Sequence, residues 1–81
     1  MYKITLGVDG MMCGMCEAHV NDQIRKKFKV KKVNSSHSKN ETVIIAKEEI
    51  SKEALDKAIE ETGYKLISYD IEPYEKKGFF K

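Results

Sequence analysis

Tyr2-Lys3-Ile4-Thr5-Leu6-Gly7-Val8-Asp9-Gly10-Met11-Met12-Cys13-Gly14-Met15-Cys16 changes its period part-way along, and that change sets the fold. Up to Val8 the residues alternate, with Ile4, Leu6 and Val8 on one side and Lys3, Thr5 and Gly7 on the other. That is the pattern of a strand with one buried face. Gly10 breaks the alternation. From about residue 14 to 28 the apolar positions Cys16, Val20, Ile24 and Phe28 recur at every fourth place, one stripe of a helix. A strand therefore passes into a helix through a short loop, with Cys13 in the loop and Cys16 in the first helical turn.

Working outward, the charged stretch 29–32 closes this helix, and a weak strand is expected around residues 30–36. The turn Ser38-Lys39-Asn40-Glu41 leads into Thr42-Val43-Ile44-Ile45-Ala46, so the two segments read as a hairpin. Ser51 is placed to cap a second helix, with Ile50 and Leu55 as a hydrophobic staple. Leu55, Ala58, Ile59 and Thr62 form its core-facing stripe, Glu53 and Lys57 a supporting pair, and Gly63 its stop. A last strand over residues 65–71 puts Ile67, Tyr69 and Ile71 on one face and is ended by Pro73. The order strand, helix, strand, strand, helix, strand is α+β and ferredoxin-like: a four-stranded antiparallel sheet with two helices on one face. One domain over residues 1–72 and a flexible tail over 73–81 are expected.

At 81 residues the chain can fill one core and not two. With 41% hydrophobic and 35% charged residues it is too apolar to stay disordered and too polar for a membrane protein. The first residues carry no apolar block of the secretory kind, so a soluble, cytoplasmic protein is expected. In that reducing compartment two cysteines are not expected to form a structural disulfide. The net charge of +2 defines no partner, although Arg25, Lys26, Lys27, Lys29, Lys31 and Lys32 form a basic run. A ferredoxin-like sheet that reads RNA needs stacking aromatics, and neither Ile4-Thr5-Leu6 nor Val43-Ile44-Ile45 supplies one. The run is expected to complement the negative end of the first helix or to steer an acidic protein partner. Phe79 and Phe80 beside Lys76, Lys77 and Lys81 would give only weak, reversible attachment to a membrane surface, so no stable insertion follows.

The chemistry is concentrated at Cys13 and Cys16. Two-residue spacing brings both sulfurs to one point. The unbonded N–H groups and positive dipole end of the helix favour thiolates there, below the ordinary cysteine pKa of about 8.5. Thiolates select soft ions such as copper(I) and zinc; zinc usually takes four ligands, so a two-sulfur site suits copper(I) better.

Gly10, Met11, Cys13 and Cys16 match the run glycine, methionine, any residue, cysteine, any two, cysteine. In this, and in the element order, the chain over about residues 2–71 resembles the heavy-metal-associated domain family, which includes copper chaperones and the amino-terminal modules of copper-transporting P-type ATPases. The resemblance implies that Cys13 and Cys16 are the metal ligands, that Met11 packs beneath the loop, and that Tyr64, after Gly63, sits beside the site as in bacterial members. It further implies a metallochaperone or metal buffer rather than an enzyme, with a copper-transporting P-type ATPase or a related metal-binding domain as partner. Such a chain would be a monomer or a metal-bridged dimer. Ser35 and His37 stand where members often carry apolar residues.

Other readings compete. A dithiol redox protein also places two such cysteines before a helix, but a thioredoxin-like fold needs a longer chain and a proline facing the site, and Pro73 lies in the tail. A zinc, cadmium or mercury binder is the further alternative. Met12 reads as exposed, and Met15, between the cysteines, as a weak third contact. His19 is expected at the helix–sheet boundary more than at the metal, and His37 is expected in solvent.

Overall fold

Ile4, Leu6 and Val8 are fully buried, as the opening alternation requires. They belong to β1 (Tyr2–Asp9), followed by α1 (Gly14–Lys27), β2 (Lys32–Ser36), β3 (Glu41–Ala46), α2 (Lys52–Glu61) and β4 (Lys65–Pro73). The structure, a computed structural model, describes residues 1–10 and 14–74. The sheet order is β2-β3-β1-β4 with every neighbouring pair antiparallel, which is the ferredoxin-like arrangement. β1 lies inside the sheet between β3 and β4, so the loop that leaves its end at Gly10 starts from a strand bonded on both sides.

The two helices contribute Val20 and Ile24 from α1 and Leu55, Ala58 and Ile59 from α2 to a core completed by Val33, Ile44, Ala46 and Ile50. Cys16 and Phe28, the ends of the α1 stripe, are half-buried against it. Beneath α1 the core is polar at one point. The Ser35 hydroxyl donates to Asn21 Oδ1 at 2.7 Å and lies 2.9 Å from the hydroxyl of fully buried Thr42. Each buried hydroxyl thus has a partner, as burial without loss of stability demands.

α2 begins and ends as its sequence specifies. Ser51 Oγ accepts from the Ala54 N–H at 3.2 Å, and buried Ile50 and Leu55 flank that cap. At the other end Gly63 has φ of +92°, and its N–H donates to the Glu60 carbonyl at 2.9 Å. Thr62, expected in the stripe, is only half-buried; its hydroxyl donates to the Ile59 carbonyl at 2.5 Å. The expected Glu53–Lys57 pair is not among the ion pairs of the described residues.

β4 departs from the simple alternation. Its register against β1 shifts between Gly7 and Val8, so that Gly7 faces Ser68 but Val8 faces Leu66. The extra residue in β4 changes the phase. Leu66, Tyr69 and Ile71 pack on the core, whereas Ile67, expected among them, is 59% exposed. A β-bulge of this kind keeps the buried face buried while the alternation in the sequence slips by one. The approach is close there: a Cβ at Gly7 would come within 2.4 Å of Ser68 Oγ. The strand also continues through Pro73, paired with Tyr2, instead of ending before it, because β4 is an edge strand where a missing N–H is tolerated. The Tyr74 N–H then donates to the Met1 carbonyl at 2.9 Å. The rest of the expected tail, residues 75–81, lies outside the described residues.

Candidate metal centre

Gly10 ends β1 with φ of +109°, a conformation that favours glycine, and a Cβ there would meet the ring of Tyr64 at 3.0 Å. Backbone angle and space therefore both call for glycine. Met11, Met12 and Cys13 lie outside the described residues. The chain re-enters at Gly14, the first residue of α1, so Cys16 is the third helical residue. Its N–H is among the four at a helix start that have no acceptor within the helix, and the positive end of the dipole lies there. Cys16 is half-buried, its side chain against the core.

Around Cys16 the surface forms a shallow concavity of about 520 Å³, lined by Met15, Cys16, Ala18, His19, Asp22 and Tyr64. Met15 is 82% exposed and stands at its rim. Tyr64, the residue after the Gly63 stop, is half-buried, with its ring between the Gly10 backbone and the ring of His19. The Tyr64 and His19 ring centroids are 6.1 Å apart at an interplanar angle of 72°, an edge-on contact. His19 is therefore not at the helix–sheet boundary where the sequence put it; it is exposed and shares a concavity with Cys16.

One link at this pole was not read from the sequence. The Glu17 carboxylate, next to Cys16, accepts the His37 backbone N–H at 2.7 Å and lies 2.6 Å from His37 Nδ1 through the same oxygen. The backbone hydrogen bond from His37, followed by the one from its ring, holds the Glu17 carboxyl below its ordinary pKa. His37, expected in solvent, thus ties the β2–β3 turn to the first turn of α1. The residues are twenty apart in sequence, and only the antiparallel topology brings the hairpin turn to the same pole as the start of α1.

The basic run lies elsewhere. α1 has 14 residues and so spans about 20 Å, which carries Lys29, Lys31 and Lys32 to the opposite pole from Cys16. Of the run's members on α1, Arg25 pairs with Asp22 at 3.8 Å and Lys27 with Glu61 at 3.0 Å. Arg25, Lys26 and Lys27 occupy the last turn of α1, where they complement the helix end. Placed so far from the loop, the run does not surround the site with positive charge. Among the described residues no helix is long and apolar enough to cross a membrane, and no cluster of three or more His, Cys, Asp or Glu is in place to hold a metal ion.

A family model of the heavy-metal-associated domain matches residues 5–65. The chain belongs to the heavy-metal-associated domain family. As such a domain it is a heavy-metal-binding unit, and similar proteins differ in the metals their names carry. A mercuric reductase of Lysinibacillus sphaericus is 34% identical over 64 residues, a match that takes in 79% of this chain but only 12% of that protein. The yeast copper transporter domain solved in apo and Cu(I)-loaded states is 27% identical, with a TM-score of 0.71 over 82% of this chain and 92% of that one. Oxidised MerP from Ralstonia metallidurans CH34 is 29% identical, with a TM-score of 0.69 over 83% of this chain and 96% of that one.

Proposed function

We propose that this heavy-metal-associated domain carries a soft metal ion, copper(I) by preference, between the thiolates of Cys13 and Cys16, and hands it to another protein by ligand exchange. The observation that carries the reading is the setting of Cys16: a half-buried thiol in the first turn of a helix, at the edge of an open concavity, three residues after a second cysteine. The helix start stabilises thiolates, and thiolates are selective for soft ions. The residues around it fit a supporting role. The Tyr64 ring lies against Gly10, where the loop leaves β1, Met15 between the two cysteines offers an exposed thioether as a weak extra contact, and Met11 is assigned the supporting role in the loop that the family resemblance implies.

Two-coordinate copper(I) leaves room for an incoming sulfur, so a partner's cysteine attacks before either original bond breaks, and the ion is never released. The open concavity and exposed Met15 supply the approach for that sulfur. The partner is a copper-transporting P-type ATPase or a related metal-binding domain, and the setting is cytoplasmic. In this reading residues 1–72 form the whole metal-carrying unit, the protein is not an enzyme, and it acts as chaperone or buffer. Lys29, Lys31 and Lys32 lie at the far pole, away from the loop.

A second reading has its own support. Mercury(II), like copper(I), is a soft ion suited to two thiolates, and the mercuric reductase relative favours it as cargo. The test is transfer: copper(I)-loaded protein is mixed with an apo acceptor domain in the presence of a chelator that scavenges released ion. Copper should reach the acceptor faster than it dissociates spontaneously, with the chelator present. Transfer only at the dissociation rate would leave a storage role, and mercury(II) passing where copper(I) does not would favour the second reading.

A further inference from the structure

Four strand ends meet at the pole opposite the metal loop. Tyr2 pairs with Ala46 and with Pro73, and Lys32 with Ile45, so the starts of β1 and β2 and the ends of β3 and β4 lie side by side there. β1 runs eight residues from this pole to Asp9, which puts roughly 25 Å between it and the Gly10 turn. Two concavities indent the pole. One, of about 530 Å³, is lined by Lys29, Val30, Lys31, Lys47 and Glu48. The other, of about 270 Å³, is lined by Met1, Lys31, Lys32, Ile45 and Tyr74. Lys31 belongs to both, so together they form one indented band. Its backbone N–H donates to the Ile45 carbonyl at 2.7 Å, which fixes the residue where the two meet. Lys29, Lys31, Lys32 and Lys47 are all exposed, and among the described residues none of them forms an ion pair. Arg25 and Lys27 of the same basic run, by contrast, are paired on α1. Cations gathered without counter-charge repel one another, and a bound polyanion relieves that repulsion.

We propose that this basic pole is a docking surface for an extended acidic segment of another protein, one whose carboxylates are interspersed with apolar side chains. The four unpaired lysines set the sign of the partner's charge. The shape and lining of the band set the rest. Concavities of this size admit side chains, whereas the flat surface of an anionic bilayer would touch only their rims. Each also has an apolar part, Val30 in the first and Ile45 with Tyr74 in the second, all of them half-buried. Apolar side chains of the segment leave water against these, while the lysine ammonium groups meet its carboxylates. Because the band lies at the far end from Cys16, it is open to a partner with or without metal, and a protein held by this pole keeps its metal loop free. The proposal is independent of the two-cysteine reading.

The test is fluorescence anisotropy of a short labelled peptide in which Glu alternates with Leu, titrated with the full chain in metal-free and copper(I)-loaded forms. The peptide should bind both forms equally, and more weakly as salt is added. Lys31→Gln should weaken binding by about fivefold and Lys29→Gln or Lys32→Gln by about twofold, the scale of exposed ion pairs, because Lys31 serves both concavities and the others one each. Arg25→Gln, on α1 and outside both, should leave peptide binding unchanged, and every variant should keep its circular dichroism and copper(I) affinity. In NMR spectra the amide signals of Lys31, Ile45 and Tyr74 should shift on adding peptide, while those of Cys16 and Tyr64 stay in place. Absence of binding, equal binding of the same peptide with Gln in place of Glu, equal loss in Arg25→Gln, or shifts centred on Cys16 would overturn the proposal. So would tighter, lysine-dependent binding to phosphatidylserine vesicles or to polyuridylate RNA, which would assign the pole to a membrane or to nucleic acid.

Discussion

α1 and α2 pack on the same face of the sheet, but they are held there by different means. α2 carries its own instructions: the Ser51 cap and the Gly63 stop lie within a few residues of the helix they define. α1 is positioned by residues far away in the chain. Glu17 is bonded to His37, Asn21 to Ser35, and Gln23 Nε2 donates to both the Ala58 carbonyl at 3.1 Å and Glu61 Oε1 at 3.0 Å. Lys27 reaches that same Glu61. These polar links from α1 run to β2, to the hairpin turn and to α2. The helix that bears Cys16 is therefore fixed by its neighbours, and what disturbs those neighbours reaches the site.

The largest expected effect comes from the core both helices share. Ile24→Ala should cost about 2–5 kcal/mol, because Ile24 is fully buried and its loss leaves a cavity. Urea unfolding measures this, and copper(I) binding should weaken along with the fold. The cap of α2 separates the two helices more sharply. Ser51→Ala should cost about 1 kcal/mol and leave copper(I) affinity as it is, since the lost bond to Ala54 serves only α2. Hydrogen exchange would show the loosening confined to α2; a matching change in α1 would break the contrast.

The contrast also explains what could be read from the sequence. Ser51, Ile50, Leu55 and Gly63 were legible because a cap, a staple and a stop are local signals. The β1 alternation and the α1 stripe were legible for the same reason. Ile67 was misplaced because a bulge shifts the phase of the strand without any mark in the alternation itself, and only the register against Gly7 and Val8 reveals it. His19 was misplaced because its neighbour Tyr64 is set by topology, and for the same reason the link from His37, exposed as expected, to Glu17 was not foreseen. At the site, Gly10 and the Cys13–Cys16 spacing were visible from the start, whereas the clasp of Tyr64 on Gly10 was not.

The smallest effect belongs to the link between the helices. Hydrogen bonds from Lys27 and then Gln23 hold the Glu61 carboxyl below its ordinary value of 4.5. The unfolded chain thus binds this proton more tightly than the folded one. The link contributes stability that is complete above 4.5 and is lost as the pH falls through the lower folded value. Because Glu61 is exposed, the effect is small and weakens with added salt. Glu61→Gln should remove that part of the acid dependence of the urea midpoint; an unchanged slope would show that Lys27 and Glu61 do not couple the helices in solution.

The central claim is that Cys13 and Cys16 act together as one site. Anaerobic titration of copper(I) against a chromogenic chelator tests it for the unaltered protein, Cys13→Ser and Cys16→Ser, with far-ultraviolet circular dichroism to confirm that each variant is folded. The unaltered protein should take up one copper(I) per chain, and each folded variant should lose tight binding. Tight, stoichiometric copper(I) binding retained by either folded variant would contradict the account and place the metal elsewhere.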